Sequence, residues 1–283
     1  MKKFIKKFLN WIIKIIISSF KKFNIGRYII DQFTQNVSNI IIEIPNKNLN
    51  LKFYSPNRLN NFRINTFFTK EPETINWIDN FEEDTIFFDI GANIGLYSCY
   101  AAKKKNCKVF AFEPSVFNLE LLAKNIYLNE LSDQIVILPT PISNTNQISQ
   151  FNMSNVEAGG ALSTFGESYT HDGSKLINRF NYKTPGTSLD YLTKFFKLNK
   201  PKYLKIDVDG IEHLILEGAE EILSETESIL VEVNDKFKLQ YEKIHKNLTS
   251  KGFEMLEKKQ SQLIAESNEV HDVFNQIWVR KNN

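Results

Sequence analysis

Asp89-Ile90-Gly91-Ala92-Asn93-Ile94-Gly95 follows the apolar run Ile86-Phe87-Phe88. Hydrophobic residues ending in an aspartate, then glycines four apart, predict a buried strand that closes in a tight turn and feeds a helix beginning near Leu96. Glycine lets a backbone approach a ligand with no Cβ in the way. The aspartate can order the turn or accept a hydrogen bond from a ligand. Turns of this kind are where α/β sheets bind nucleotides, although the turn alone also reads as a purely structural connection.

A second strand over 108–112 ends at Glu113-Pro114, and Glu113 stands 18 residues after Gly95. From that position a carboxylate can take both hydroxyls of a ribose lying across the crevice. Further strands are expected at 134–138, 203–206 and 228–235, after the first at 85–88. Asp89, Glu113, Asp207 and Glu232 then put four carboxylates on one rim of one sheet, the rim where open α/β sheets keep their sites. Ser115 can cap a helix reaching 129, with Val116, Leu119, Leu122, Ala123 and Ile126 as its inward stripe. Pro141, Ile142 and Ser143 are candidates for the floor under a base. Residues 144–186 are rich in glycine, hydroxyl and aromatic side chains and suit a mobile hairpin or lid over a pocket, with a plain surface excursion the other reading. Later come helices at 187–195, from Ile211 and at 239–249, a strand at 253–256, and a last strand at 273–279 that can pair antiparallel at the edge.

The 283 residues suffice for one large α/β core with a smaller attachment. Cys99 and Cys107 have neither metal-ligand nor CxxC spacing and suit the core of a protein in a reducing compartment. A net charge of +2 does not call for nucleic acid. We divide the chain into 1–80, a basic amphipathic helix with an accessory β region, and 81–283, the main domain. In the first part, 39–44 and 49–54 form a hairpin turning at Asn48, 63–68 reads as a short strand, and Glu71-Pro72-Glu73 opens a helix over 75–81. Residues 1–23 hold seven lysines and no acid. Lys3, Lys7, Asn10, Lys14, Ser18 and Lys21 share one helical face, opposite Phe4, Phe8, Trp11, Ile12, Ile15 and Ile16. The pattern suits an interfacial helix on an anionic membrane; docking on the protein's own core or a partner, and cleavage or spanning, are the other readings. The first places the protein in the cytoplasm, peripheral on the inner face of the membrane.

Asp89 to Gly95, Phe112-Glu113-Pro114, Thr187-Ser188-Leu189-Asp190, the segment Lys205-Ile206-Asp207-Val208-Asp209-Gly210-Ile211-Glu212 and Val231-Glu232-Val233 together resemble the FkbM-type S-adenosylmethionine-dependent methyltransferases. The likeness covers roughly 70–280 and leaves out the basic helix. It implies a class I, Rossmann-like methyltransferase fold: an α/β, mostly parallel seven-stranded sheet with helices on both faces. It also implies O-methylation, often of a sugar hydroxyl in a glycan, lipopolysaccharide or related glycoconjugate. Carried over by position, Asp89, Gly91, Asn93, Gly95, Glu113, Pro114 and Ser143 would surround the cofactor. Gly91 and Gly95 would make room for its methionine end. Asp207, Asp209, Glu212 and His213 would face the sulfonium and the acceptor, with Asp207 the first choice of base and His213 the second. Asp209 stands where the family more often shows glutamate. A divalent ion on Asp207, Asp209 and Glu232 is chemically allowed by their oxygen ligands, but no spacing specifies it. A dehydrogenase would need Gly-x-Gly-x-x-Gly, whereas positions 91, 93 and 96 are Gly, Asn and Leu. A nucleic-acid methyltransferase shares the cofactor half, but the chain has no Asn/Asp-Pro-Pro-aromatic segment. A membrane-associated scaffold that kept the fold without catalysis is the non-enzyme alternative.

Overall fold

The computed structural model describes residues 2–46, 49–260 and 272–281. Asn48, the expected hairpin turn, lies outside them. The chain opens with helices α1 (Lys2–Phe20) and α2 (Asn24–Ser38), the hairpin β1 (Ile41–Asn46) and β2 (Leu49–Tyr54), and helices α3 (Arg58–Asn65), α4 (Phe67–Lys70) and α5 (Pro72–Asp79). Then β3 (Ile86–Ile90), α6 (Leu96–Lys105), β4 (Lys108–Phe112), α7 (Val116–Leu128) and β5 (Ile135–Leu138) alternate. Strands β6 (Gln147–Met153), β7 (Ser163–Phe165) and β8 (Phe180–Gly186) form a separate antiparallel sheet. The chain returns through α8 (Leu189–Phe196), β9 (Tyr203–Ile206), α9 (Glu212–Glu217), α10 (Glu220–Leu223), β10 (Ser228–Asn234), α11 (Lys238–Ser250), β11 (Phe253–Lys259) and β12 (Val273–Arg280).

The main sheet has the order β11-β12-β10-β9-β3-β4-β5. From β10 to β5 it is parallel, and β12 runs antiparallel to both neighbours. The central strands are nearly continuous apolar runs because helices cover both faces. Alternate side chains serve opposite cores: Phe87 and Val109 join one with Leu51, Phe53, Trp77 and Tyr100, while Phe88 and Phe110 join the other with Ile215, Leu216 and Ile244. The accessory residues around Leu51 and Trp77 are therefore built into the first of these cores. From β3 the chain first winds outward through β4 and β5, then crosses back to β9 on the other side. That reversal opens a crevice at the carboxyl ends of β3, β4 and β9, the switch point of the sheet.

Two local expectations need correction. Residues 63–68 are helical, across α3 and α4. Asn57 caps α3 by accepting from Asn60 N–H at 2.8 Å, and Ile64 and Phe67, three apart, are the side chains buried. On α7, Val116 and Ala123 are exposed; the inward face is Asn118, Leu121, Leu122, Asn125 and Ile126. Two of those side chains are asparagines because they bind backbone: Asn125 accepts from Tyr54 N–H and donates to the Ile94 carbonyl. An apolar stripe cannot reveal a helix face that is used for hydrogen bonding. Residues 24–38, to which the pattern assigned no element, form α2.

Candidate active site

A cavity of about 210 Å³ lies over the switch point, walled by the 91–97 turn, Glu113 to Ser115, Asn118, Gly160 and Ala161, and the ends of β9 and β10. In the turn, Gly91 and Ala92 N–H both donate to the Phe112 carbonyl at 3.0 Å, tying β3 to β4. Both glycines answer to protein contacts. A Cβ on Gly91, at φ +85°, would fall 1.9 Å from the Asp207 carbonyl oxygen, and one on Gly95, at φ +84°, 2.6 Å from Leu122 Cδ1. Gly91 also lines the cavity; Gly95 does not.

Asp89 is buried below the turn and accepts from Ser98 Oγ at 2.5 Å, with its other oxygen 3.8 Å from Lys205 Nζ. It orders the turn from beneath and is not a wall of the cavity. Glu113 reaches across at the end of β4. Its two oxygens accept from Asn93 N–H at 2.8 Å and Ser115 N–H at 2.7 Å. This carboxylate, and not the Ser115 hydroxyl, takes the amide at the start of α7, since Ser115 makes no side-chain cap. Burial pushes the Glu113 carboxyl up to about 7 against the pull of those two amides. Asn93 Oδ1 and Ser115 Oγ, which flank it, are buried without a hydrogen-bond partner.

Asp207 forms the opposite wall. Lys205, buried in β9 at 1% exposure, donates from Nζ to Asp207 Oδ2 at 2.8 Å. Burial alone would raise the Asp207 carboxyl, but Lys205, with Lys70 and Arg63 beyond it, holds it below the usual carboxylate range. Burial would likewise lower the Lys205 ammonium, and Asp207 and Asp89 hold it above its ordinary value instead. The ammonium also lies 5.3 Å over the Tyr97 ring, and Tyr97 donates its hydroxyl to Glu71 Oε2 at 2.6 Å. Lys205, Tyr97, Glu71, Lys70 and Arg63 all line the cavity, and none was selected from the sequence. For Lys205 a signal existed: a lysine inside an apolar strand, in register with Asp89 on the neighbouring strand.

The remaining candidates divide. Asp209, at φ +65°, lines the cavity and accepts from Leu162 N–H at 2.6 Å. Pro114 lines it too, and Pro114 with Pro141 and Ile142 continues it into a narrow apolar slot closed by Phe151 and Phe165. Ser143 falls outside both spaces: its N–H donates to the Thr187 carbonyl, which turns the chain away towards Gly218. Glu212 is fully buried behind the 207–210 loop and accepts from Val208 N–H, Gly210 N–H and Gln240 Nε2. Burial brings its carboxyl up to about 7. His213 lies with its ring against Phe237, outside the cavity, and burial brings its imidazole down to about 4. Glu212 thus braces the loop from behind, and neither it nor His213 lines the cavity. Glu232 lines the cavity, and among the described residues no three His, Cys, Asp or Glu side chains are arranged to hold a metal ion.

Over the mouth lies the 154–162 loop, held from several elements. Asn57 and Asn60 donate to the Ala158 carbonyl, Arg63 Nε to Gly159, and Asn93 and Asn118 to Gly160. Leu162 N–H completes the strap at Asp209. The irregular region therefore does cover the cavity, as a small sheet with a pinned loop.

A doubly wound sheet with an acidic β4 end, a glycine turn and an anionic β9 end is the arrangement expected of a class I methyltransferase. The profile of the methyltransferase FkbM domain matches residues 89–255. The chain belongs to this family of S-adenosylmethionine-dependent methyltransferases. The hexuronic acid methyltransferase AglP of Haloferax volcanii is 27% identical over 157 residues, covering 56% of this chain and 59% of that protein. The chain thus matches somewhat over half the length of this curated relative. Among solved structures, methyltransferase FkbM from Methylobacillus flagellatus KT aligns with a TM-score of 0.48 at 14% identity, over 71% of this chain and 44% of that one. Precorrin-6y C5,15-methyltransferase from Geobacter metallireducens GS-15 aligns at 0.45 and 14%, over 75% and 87%.

The site's own chemistry fits S-adenosylmethionine. Glu113 keeps free lone pairs beyond its two amide bonds, and the unpartnered Asn93 Oδ1 and Ser115 Oγ stand beside it, a set able to receive ribose hydroxyls. The apolar slot between Pro141, Ile142 and Phe112 suits a flat base, and the carboxylate rim suits a cationic ligand.

Proposed function

We propose that the protein transfers a methyl group from S-adenosylmethionine to an oxygen of a saccharide or glycoconjugate. One observation carries this reading: the Asp207 carboxylate, held ionised by Lys205, lines the same cavity as Glu113. S-adenosylmethionine supplies an electrophilic methyl carbon. Glu113, with Asn93 and Ser115, binds the ribose; Asp207 accepts the acceptor hydroxyl's proton as the oxygen attacks, and Lys205 stabilises and orients that base. The 154–162 strap excludes water from the mouth. The name of the Haloferax relative supports a sugar acceptor. The free, buried Cys99 and Cys107 support a reducing compartment such as the cytoplasm.

The test is calorimetry with S-adenosylhomocysteine alongside a methyl-transfer assay on uronic-acid and neutral glycans, with RNA as a control. Glu113→Ala is expected to weaken cofactor binding about tenfold or more while the fold persists, because charged acceptor bonds are lost. Unchanged affinity would remove Glu113 from the cofactor site. Cofactor binding without transfer to any glycan would favour a non-catalytic scaffold, and nuclease-sensitive labelling of RNA would overturn the acceptor class.

A further inference from the structure

Helices α1 and α2 meet at a short turn, where Arg27 Nε donates to the Lys21 carbonyl at 2.8 Å and Gly26 lies against the Phe20 backbone. They have no core. No hydrophobic side chain of residues 3–38 is among the buried ones, and Phe4, Phe8, Trp11, Ile16, Ile25 and Phe33 are all at least half exposed. So much contiguous apolar surface marks an interaction site. Its charge is one-sided: seven lysines and no acid up to residue 23. No described helix is long and apolar enough to cross a membrane.

We infer that residues 2–38 form a pair of linked helices that beds on a phospholipid surface carrying anionic headgroups, its apolar side chains entering the acyl boundary and its lysines reaching the headgroups. Charge selects this occupant. A second copy apposed through α1 would bring lysines onto lysines with Asp31 of α2 the one acid in residues 2–38 to pair them, whereas an anionic leaflet complements all seven. Lysine stems lie along apolar surface while the ammonium stays at the headgroup level, so mixed faces are no obstacle. Compared with a single interfacial helix, α2 adds Ile25, Ile29 and Phe33 at four-residue spacing, widening the apolar footprint. The inference is independent of the methyl-transfer reading.

The experiment is sedimentation of the full-length protein with vesicles of phosphatidylcholine alone or mixed with phosphatidylglycerol, over a salt series. Trp11 is an internal reporter, since Trp77 and Trp278 are buried and Trp11 is not. The expected result is partition about tenfold or more stronger onto the anionic vesicles, falling with salt, and a blue shift of tryptophan emission. The variant K3Q/K7Q/K14Q/K21Q and, separately, W11D/I15D should each abolish that preference or binding while melting temperature and S-adenosylhomocysteine affinity stay unchanged. Equal partition onto neutral and anionic vesicles, or binding undisturbed by either variant, would overturn the inference. So would the absence of vesicle binding in a protein whose mass by light scattering doubles and reverts to monomer with W11D/I15D, which would assign the surface to a second copy.

Discussion

Lys205 joins the β9 strand to the chemistry two residues further on. Its ammonium is buried between Asp89 and Asp207, so it has a structural partner below the sheet rim and a functional one at the rim. Replacing it by methionine leaves two carboxylates without their cation, and stability should drop by about 3 kcal/mol in thermal or urea unfolding. The kinetic signature separates positioning from packing. Asp207 works as a base when ionised, so lifting its carboxyl back up moves the acid limb of the rate profile to higher pH. Asp207→Asn should leave cofactor affinity near wild type and lower the single-turnover rate about a hundredfold or more. An unshifted limb in Lys205→Met, together with an unchanged rate in Asp207→Asn, would take this pair out of the mechanism.

At the scale of elements, the turn after β3 shows why two glycines in one motif are not equivalent. The group that would meet a Cβ on Gly91 is the Asp207 carbonyl, part of a backbone fixed by β9, while Gly95 faces the far end of a leucine that can shift. Both replacements are strained at positive φ. Gly91→Ala is therefore expected to cost more stability than Gly95→Ala, by about 1 kcal/mol or more, and to reduce cofactor binding as the 207–210 loop is pushed back. Parallel denaturation and calorimetry of the two variants check the order. The 207–210 loop has its own brace in Glu212, whose buried carboxylate collects two backbone amides and Gln240. An acid at the start of a helix next to a suspected catalytic aspartate looks functional in sequence. Only the direction of its side chain, set by α11 packing behind it, shows that it serves the loop.

For the whole molecule, the division of labour follows burial. The body from β1 onward carries both cores, and Leu51 and Phe53 of the second strand are as buried as any sheet residue. Residues 3–38 contribute no core side chain, so deletion of 2–38 should leave melting temperature and S-adenosylhomocysteine affinity unchanged. A large loss of melting temperature would show that the two helices support the body after all. The body's site is assembled from distant parts of the chain: α3 from the accessory region, the β3 turn, Asn118 of α7, the 154–162 strap and the β9 rim.

The parallel strands, their order of appearance and the carboxylates at their ends were legible in the sequence, because strand burial writes itself as apolar runs and strand ends as the first polar residues after them. Glu113 and Asp207 emerged in that way, and so did the antiparallel direction of the last strand, although β12 lies between β10 and β11 and not at the edge where the pattern put it. Side-chain direction and long-range pairing were not legible. His213 and Ser143 turned away, Lys205 and Arg63 turned in, and asparagines took the place of an apolar stripe on α7, because each of these depends on what a neighbouring element presents. Periodicity records whether a residue is buried, which is a local property of the chain. Whether a buried polar group faces a ligand or a backbone amide is decided by contacts between segments far apart in sequence, and only the tertiary structure supplies those.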